Sequence, residues 1–389
     1  MNTDKGIVIV SGSNGRIGDA VLRRFAGRFG AVVGFDRKAP KEPPPGCVAV
    51  AVEITSDESV RAGLAMIREH HGERVISVIH LAAYYDFLGE PSPKYDEITV
   101  RGTARLLRGL REAGLHAEQF VFSSTMLVHR PAEPGQLINE DWPIDPTWAY
   151  PESKVRTEQI IREGRGDIPA VLLRIAGVYD DGCHSIPLAH QIQRISERQL
   201  SSRLYSGSTA HGQSFLHMGD LVDVIERVVE RRATLPPEVA VLIGEPEALS
   251  YDEIQHSLGR LIHGDDWETL EIPEALTPVA KVGAWVQEKL PGPDPFIRPW
   301  MIERASDHYA LDITRAQPQL DWGTTRPLRR TAPTQIPAAT DEPARSQQVP
   351  SAETHAATER PAHDHAQSPH ACRLRVDTPR LLDPPQRRQ

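Results

Sequence analysis

Residues 7–18 read Ile-Val-Ile-Val-Ser-Gly-Ser-Asn-Gly-Arg-Ile-Gly, an apolar run that is followed by three glycines. The four β-branched residues of Ile7–Val10 are typical of a strand that is buried on both faces. Gly12, Gly15 and Gly18 follow, and from Ile17 onward the apolar residues have helical spacing. A strand, a glycine turn and a helix in this order predict a strand–helix unit whose loop lets a ligand approach the backbone closely.

Short apolar runs and longer amphipathic stretches continue to alternate along the first half of the chain. The runs typical of buried strands are Ile7–Val10, Ala31–Val33, Val48–Val52, Val75–Ile79, Phe120–Phe122 and Val171–Leu173. The stretches with helical spacing are Ile17–Phe29, Ser59–His70, Ile98–Ala113 and Lys154–Glu163. Because this alternation is typical of parallel sheets covered by helices, we predict the α/β class with a doubly wound parallel sheet.

Composition and charge argue against several classes of protein. The 389 residues carry a formal net charge of −9, which disfavours nucleic acid or an anionic membrane as the main partner. No apolar run approaches the roughly 18 residues of a membrane span. Met1–Lys5 has an acid, Asp4, where a secretory signal would have basic residues, and the apolar run after it is too short. Three scattered cysteines, Cys47, Cys183 and Cys372, fit neither a disulfide framework nor a CxxC metal site. We therefore expect a cytoplasmic protein.

The last 59 residues, 331–389, differ in composition from the rest of the chain. They hold nine prolines, four histidines and no Phe, Trp or Tyr, and their seven acidic residues balance seven arginines. So few large apolar side chains cannot offset the entropy cost of ordering, and we predict a disordered Pro/His-rich tail. His363, His365, His370 and Cys372 lie close together in this tract, but its composition makes chance the better explanation, so no metal site is expected.

The glycine loop has the chemistry of a phosphate cradle. Glycines let the backbone approach a pyrophosphate, whose negative charge is then stabilised by the N-terminus of the following helix. The second predicted strand ends at Asp36, 18 residues after Gly18. A carboxylate there accepts hydrogen bonds from a ribose diol and repels a 2′-phosphate, so NAD is favoured over NADP. Arg37, directly after Asp36, keeps NADP as the minor alternative.

Tyr150 and Lys154 lie one helical turn apart in the sequence Tyr-Pro-Glu-Ser-Lys. This i, i+4 spacing places both side chains on one face of the predicted helix. An ammonium group in that position favours the phenolate and lowers the tyrosine pKa from about 10, so that the tyrosine can exchange a proton near neutral pH. Upstream, Ser123–Thr125 ends a predicted strand at the carboxyl edge of the sheet, where open α/β sheets bind ligands.

Taken in order, these features resemble the extended short-chain dehydrogenase/reductase family, the NAD-dependent epimerase/dehydratase group. The resembling stretches are the GxxGxxG loop, Asp36, His80–Ala83, Ser123–Thr125 and the YxxxK pair. The resemblance implies a Rossmann-type sheet and a catalytic triad of Thr125, Tyr150 and Lys154. The cofactor site that it implies consists of Gly12, Asn14, Gly15, Arg16, Ile17, Gly18, Asp36, Glu53, Ile54, Leu81, Ala82, Ala83, Ser123, Tyr150 and Lys154, with Glu53 and Ile54 beside the adenine.

The resemblance also implies how the chain is divided. Residues 1–330 form the enzyme unit, and the tail, 331–389, lies outside it. The cofactor domain is mostly 1–176 plus 214–245, and a smaller C-terminal substrate-binding lobe is mostly 177–213 and 246–326. Within this unit we expect His80 to be structural and Tyr85 to be a candidate for substrate contact. The tryptophans expected to pack the lobe are Trp142, Trp148 and Trp300.

Several positions depart from the family pattern. Dehydratases of nucleotide sugars carry Asp-Glu after the triad hydroxyl, where this chain has Met126 and Leu127, which transfer no proton. Gly177 and Gln213 replace the Asn and Arg that usually help to hold a nucleotide-sugar diphosphate. The arginines that could serve instead are Arg194, Arg203 and Arg298. Thr99 replaces an Asn, so a proton-relay role is not carried over to that position.

We therefore predict an NAD-dependent oxidoreductase or epimerase that acts on a secondary alcohol or its ketone by hydride transfer. Tyr150 exchanges the hydroxyl proton, Lys154 lowers the tyrosine pKa and contacts the nicotinamide ribose, and Thr125 orients the substrate oxygen. A nucleotide-sugar epimerase and a non-catalytic NAD-binding protein are the alternatives. We expect a small-molecule substrate, with no nucleic acid or membrane partner, and a homodimer is left open. The sequence determines neither the substrate nor the choice between net oxidation and epimerisation.

Overall fold

A parallel β-sheet lies at the centre of the fold. The computed structural model describes residues 4–40, 42–86, 89–273, 275 and 299–341. In chain order the strands are β1 (Asp4–Ser11), β2 (Phe29–Asp36), β3 (Val48–Ala51), β4 (Arg74–His80), β5 (His116–Ala117), β6 (Phe120–Thr125), β7 (Ala170–Ile175), β8 (Gly177–Tyr179), β9 (Leu204–Ser206), β10 (Gly212–Gln213), β11 (Phe215–His217), β12 (Glu238–Ile243), β13 (Leu249–Ser250) and β14 (Leu270–Ile272). The order across the central sheet is β3-β2-β1-β4-β6-β7-β12, with β5 beside β4, and every pair is parallel.

Helices cover both faces of this sheet. In chain order they are α1 (Arg16–Phe25), α2 (Asp57–His71), α3 (Arg101–Glu112), α4 (Ala149–Gly164), α5 (Ile186–Ser196), α6 (Met218–Glu230), α7 (Tyr251–His263), α8 (Pro299–Glu303), α9 (Ala316–Leu320) and α10 (Leu328–Asp341). One core layer contains buried residues of α1 and α6, and the other contains those of α2, α3 and α4. Within β1, Val8 and Val10 belong to the first layer and Ile7 and Ile9 to the second, as the alternation of side chains along a strand requires. The predicted doubly wound α/β fold is confirmed.

The predicted elements correspond to observed ones, with two differences. All six apolar runs quoted above overlap strands of the central sheet. The helix predicted over Ile17–Phe29 ends at Phe25, because the chain turns at Gly27, whose φ is 72°, and starts the next strand at Phe29. Strand β12 was not predicted, although its sequence, Glu-Val-Ala-Val-Leu-Ile, is strongly apolar.

A smaller group of elements follows β7 and forms its own core. Three two-stranded sheets, β8 with β11, β9 with β14 and β10 with β13, accompany α5 and α7. The core of this lobe contains Tyr179, Ile192, Leu258 and Trp267. The later part of the predicted lobe lies elsewhere, because Tyr309 and the α9 residues Ala316 and Leu320 are buried in the first core layer of the sheet.

Helix α10 corrects the predicted start of the tail. We expected the ordered unit to end at residue 330, but α10 continues to Asp341. Ala332 and Gln335 are buried, and the Thr331 hydroxyl donates a hydrogen bond to the Tyr179 hydroxyl at 3.1 Å. The helix packs against α5 and α7, so residues 331–341 are not a disordered tail. The prediction of disorder for 342–389, with its histidine cluster, lies outside the described residues.

Two further observations concern the sequence-based expectations about compartment and partners. Cys47 and Cys183 are free thiols, and Cys372 lies outside the described residues. Across the ranges that the structure covers, none of the helices has the length and apolarity that crossing a membrane requires.

Candidate active site

The glycine loop joins β1 to α1 and packs tightly against the chain that follows β4. Gly12 has a φ of 72°, and a Cβ atom there would lie 2.8 Å from the backbone nitrogen of Ala82. A Cβ atom on Gly18 would lie 2.3 Å from the carbonyl oxygen of Gly12, and one on Gly15 would lie 3.2 Å from the same oxygen. Gly12 and Gly18 therefore need glycine, whereas a Cβ atom on Gly15 would be tight but not excluded. The N-terminus of α1 remains open above the loop.

A cleft of about 440 Å³ opens where this loop meets the carboxyl edge of the sheet. Seven of the predicted cofactor residues line it: Gly12, Gly15, Arg16, Ile17, Gly18, Leu81 and Ser123. The far wall comes from the start of the lobe, with Tyr179, Asp180, His184 and Met218. A narrow glycine floor, an open helix N-terminus and a basic side chain fit the pyrophosphate of a dinucleotide.

Asp36, which is predicted to bind the adenosine ribose, lies at the end of β2. Its Oδ2 atom accepts a hydrogen bond from the backbone nitrogen of Asn14 at 3.0 Å, and the Asn14 side-chain amide donates to the carbonyl of Lys38. One carboxylate oxygen is thus tied to the glycine loop, which fixes the position of the other. An acidic group in this place fits a ribose diol.

The predicted adenine contacts, Glu53 and Ile54, follow the neighbouring strand β3. Glu53 Oε1 accepts hydrogen bonds from the backbone and the hydroxyl of Thr55 at 3.1 and 2.8 Å. Ile54 is 9% exposed and packs against Gly102 of α3. Neither residue lines the cleft described above, and a contact with adenine stays a prediction.

His80 has the structural role that we expected. Since Thr103 donates its hydroxyl proton to the carbonyl of Thr99 at 2.6 Å, it accepts from His80 Nε2 at 2.8 Å. His80 Nδ1 therefore accepts from the Ser11 hydroxyl at 2.6 Å, and Ser11 Oγ accepts from the backbone nitrogen of Ala82 at 3.3 Å. Burial lowers the pKa of His80 to about 3. This neutral chain of hydrogen bonds fixes the segment that carries Leu81, Ala82 and Ala83.

The predicted triad lies at the adjoining strand end. Lys154 is only 2% exposed, and its Nζ atom donates to the carbonyl oxygen of Ser123 at 2.6 Å. The same Nζ atom lies 5.6 Å from the ring centroid of Tyr150. Thr125 ends β6, is buried and lies close enough to Tyr150 for its hydroxyl to lower the pKa of the phenol. The structure thus brings Thr125, Tyr150 and Lys154 together beside Ser123, which lines the cleft.

The electrostatics of the tyrosine differ from the expectation. Burial raises the pKa of Tyr150, and this effect exceeds that of the hydrogen bond from Thr125, which lowers it. Burial also lowers the pKa of Lys154 to about 7, against the opposing influence of Glu158. Without a ligand the phenol is therefore held protonated. The lowered tyrosine pKa that the i, i+4 spacing predicts is not found, because burial dominates over the nearby amine.

A buried ion pair lies next to the triad, and it was not predicted from the sequence. Glu158, one turn after Lys154 on α4, pairs with Arg174 of β7 through hydrogen bonds of 3.1 and 2.8 Å. Both side chains are at most 5% exposed. Glu158 also accepts from the Ser124 hydroxyl at 2.6 Å, while Arg174 donates to His129 Nε2 at 3.1 Å. A partial signal was available for the arginine, since Arg174 lies within the otherwise apolar run of β7.

Aromatic rings surround Tyr150 on its open side. Tyr85, 55% exposed, meets it edge-on with ring centroids 5.1 Å apart. Trp148 lies 5.4 Å from Tyr150 and stacks on Trp300 at 5.6 Å. Arg304 donates to the carbonyl of Thr147 at 2.6 Å and so holds this segment. We expected Trp148 and Trp300 only to pack the lobe, but the structure places Trp148 directly beside the predicted catalytic tyrosine.

Three residues that depart from the family pattern, Met126, Leu127 and Thr99, have structural contacts. Met126, at 2% exposure, is part of the hydrophobic core, and Leu127 packs against the same core. Thr99 is buried, and its hydroxyl accepts a hydrogen bond from the backbone nitrogen of Tyr84 at 2.9 Å. Neither of the two positions after Thr125 offers an acid or a base.

Comparisons with known proteins agree with this geometry. A 3-beta-hydroxysteroid dehydrogenase of Mycolicibacterium neoaurum is 22% identical over 342 residues, which cover 83% of this chain and 88% of the relative. The fold is similar to that of UDP-glucuronic acid 4-epimerase from Bacillus cereus, solved with UDP-glucuronic acid and NAD (TM-score 0.62, 17% identity, 86% of this chain and 99% of that one). UDP-glucose 4-epimerase from Thermotoga maritima, solved with UDP-glucose, is also similar (TM-score 0.60, 19% identity, 85% and 97%). The model of the NAD-dependent epimerase/dehydratase family matches residues 8–244, more than half of the sequence. The chain belongs to the NAD-dependent epimerase/dehydratase family, whose members are NAD-dependent enzymes of the extended short-chain dehydrogenase/reductase type.

Proposed function

We propose that the protein catalyses hydride transfer between NAD and a secondary alcohol or its ketone, with Thr125, Tyr150 and Lys154 as catalytic residues. One observation carries the proposal: Lys154 is bonded to the carbonyl of Ser123, and Ser123 lines the cleft beside the glycine loop. The tyrosine and the cleft therefore share one edge of the sheet. A reacting carbon held between them has a proton donor on one side and the cofactor on the other.

Each residue has a distinct part in this reaction. NAD, when bound, supplies the carbon that accepts or returns the hydride. Tyr150 takes the proton of the alcohol oxygen during oxidation and gives it back to the ketone oxygen during reduction. Thr125 bonds the same oxygen and fixes its direction, and Lys154 interacts with the nicotinamide ribose.

The cofactor is held, in this proposal, by the residues at the ends of β1 to β4. The glycine loop and Arg16 bind the pyrophosphate, and Asp36 accepts from the adenosine ribose. The other proposed cofactor contacts are Asn14, Ile17, Glu53, Ile54, Leu81, Ala82, Ala83 and Ser123.

Net oxidation or reduction and epimerisation use the same triad. Epimerisation requires the ketone to present its opposite face to the cofactor before the hydride returns. Whether it can do so depends on the pocket and not on the triad. The similarity to two nucleotide-sugar epimerases concerns the fold alone. The steroid dehydrogenase, by contrast, is a relative that matches this chain in sequence. We therefore favour a dehydrogenase and keep nucleotide-sugar epimerisation as the second candidate. A cytoplasmic location and a homodimer stay predictions.

The decisive experiment is Tyr150→Phe. The purified enzyme is screened with NAD against 3-hydroxysteroids, other apolar secondary alcohols, free sugars and UDP-sugars, with product analysis so that silent epimerisation is also detected. We expect the variant to lose about 10²- to 10⁴-fold in turnover, the usual contribution of a general acid–base group. Binding of NADH, followed by the fluorescence of its reduced nicotinamide, is expected to stay largely unchanged, because the glycine loop, Arg16 and Asp36 hold the cofactor in this proposal.

Tyr84→Phe is the matched control. Tyr84 follows the end of β4 but packs edge-on against Tyr95, and its hydroxyl donates to Asp86 at 3.4 Å. This variant should keep its activity. Full activity of Tyr150→Phe would overturn the proposed chemistry, and NAD binding without turnover of any compound would favour the non-catalytic alternative.

A further inference from the structure

A second cavity, of about 290 Å³, lies in the lobe between α5, β10, the start of α7 and α8. Much of its wall is apolar, with Leu188, Phe215, Ile254 and Met301 among the lining residues. Apolar walls of this kind favour a hydrocarbon body over a strongly hydrated one.

The cavity lies close behind the aromatic rings of the active site. Arg304 lines it and also donates to the carbonyl of Thr147 at 2.6 Å. The next residue, Trp148, lies 5.4 Å from Tyr150. Through Arg304 and Trp148, one wall of the cavity thus continues to the surroundings of Tyr150, a suitable arrangement for the remote end of a molecule whose alcohol meets Tyr150.

The charges that face the cavity do not cancel. Arg304 pairs with Asp307 at 3.6 Å, and His211 is bonded through Nδ1 to the carbonyl of Ser208 at 3.0 Å. Arg194 forms no ion pair with any carboxylate of the described residues, and its Nε atom is buried without a hydrogen-bond partner. Its Nη1 atom donates to the carbonyl of Ser201 at 3.4 Å. Burial raises the pKa of the neutral Tyr251 hydroxyl on the same wall, and the charge of Arg194 opposes this with a smaller effect. A half-buried guanidinium in an apolar wall is unfavourable unless an anion joins it.

We propose that this cavity binds the remote end of the substrate and that Arg194 pairs with a carboxylate there. The substrate is then an organic acid with an apolar body and a secondary alcohol at the opposite end. One uncompensated guanidinium matches the single negative charge of a carboxylate. A diphosphate carries at least two negative charges, and Gln213 on the same wall is neutral and supplies no second positive charge. The assignment of the alcohol end rests on the proposed function; the anion site itself does not.

The test uses two ligands that differ in charge and little else, 2-naphthoate and 2-naphthamide. Isothermal titration calorimetry on the full chain is expected to show naphthoate binding about 10-fold more tightly, the lower end of what a charge-assisted hydrogen bond contributes. In Arg194→Gln the affinity for naphthoate should fall to that for naphthamide, with naphthamide unchanged. Arg194→Lys, which keeps the charge, should retain part of the preference.

Arg203→Gln is the matched control. Arg203 lies on the turn after α5 but stacks on Trp267 at 3.9 Å and does not line the cavity. Its substitution should leave both affinities unchanged. Equal binding of the two ligands to the wild type would overturn the proposal, and so would an equal loss of both in Arg194→Gln, which would show a merely structural arginine.

Repeating the titrations with Tyr150→Phe separates this proposal from the proposed function. The variant keeps the cavity, so the preference for naphthoate should persist whether or not the chemistry is as proposed. Once a substrate is known, Arg194→Gln should raise KM about 10-fold and leave kcat unchanged, because uniform binding is lost. A lowered kcat with KM unchanged would contradict a role in binding the remote end.

Discussion

The sheet edge and the lobe both bury polar groups, but the groups differ in charge. Behind the triad, Glu158 and Arg174 form an ion pair at 2.8 Å with almost no exposure. In the lobe, the Gln255 amide donates to the carbonyl of Ser202 at 2.6 Å and accepts from Gln191 at 3.1 Å, all within neutral groups. A buried ion pair demands one geometry, because any displacement leaves a charge without its partner. Displacing a neutral amide costs less, because no charge is left without a partner.

This contrast predicts unequal costs for removing one partner in each region. The largest effect is expected for Glu158→Gln, which leaves the Arg174 guanidinium buried without a counter-charge. We expect the free energy of unfolding to fall by about 3–5 kcal/mol, measured by urea denaturation without NAD. Glu163→Gln, on the exposed face of the same helix, is the control and should stay within about 0.5 kcal/mol of the wild type. A loss below about 1 kcal/mol for Glu158→Gln would remove the distinction between the two regions.

The lobe is expected to respond more weakly. Gln255→Leu deletes a neutral amide and leaves the carbonyl of Ser202 and the hydroxyl of Thr269 without this partner. The expected cost is about 2 kcal/mol, the desolvation of unpaired neutral groups, again by urea denaturation. Gln159→Leu, the same exchange at an exposed position, serves as the control. If Gln255→Leu proved as costly as Glu158→Gln, charge would not be what distinguishes the two networks.

The sequence predicts the sheet edge far better than the lobe, for a physical reason. The glycine loop and the Tyr150–Lys154 pair depend on residues within one turn or one loop of each other, so their spacing alone predicts their geometry. Helix α10 was missed because Pro333 and Pro337 argue against a helix, whereas its packing on α5 and α7 stabilises it.

The environments of individual side chains could not be predicted from the sequence, for a related reason. Glu158 and Arg174 are 16 residues apart and lie on different elements, so no local pattern marks them as a pair. The direction of the Tyr150 pKa depends on burial, to which the rings of Tyr85 and Trp148 contribute from separate segments. The sequence indicates Arg194 only as one of three candidates, and only the folded chain shows that it has no carboxylate partner among the described residues.

The smallest predicted effect concerns Lys154, where the sheet edge holds a cation that burial disfavours. Its pKa is lowered from 10.5 to about 7 by burial, so between these two values the folded protein binds fewer protons than the unfolded chain. The free energy of unfolding therefore gains a contribution from Lys154 as pH rises through this window, and this contribution is lost as pH falls below it.

Lys154→Met removes that titration and leaves a similar volume. The difference in the free energy of unfolding, wild type minus variant, should grow by about 1 kcal/mol between pH 7 and pH 8, measured by urea denaturation without NAD. Lys94→Met, at an exposed position, should show no such growth. Parallel pH profiles for wild type and Lys154→Met would mean that the ammonium stays charged at neutral pH. In that case the sequence-based expectation of a lysine that lowers the Tyr150 pKa would be right after all, and burial would not govern the triad.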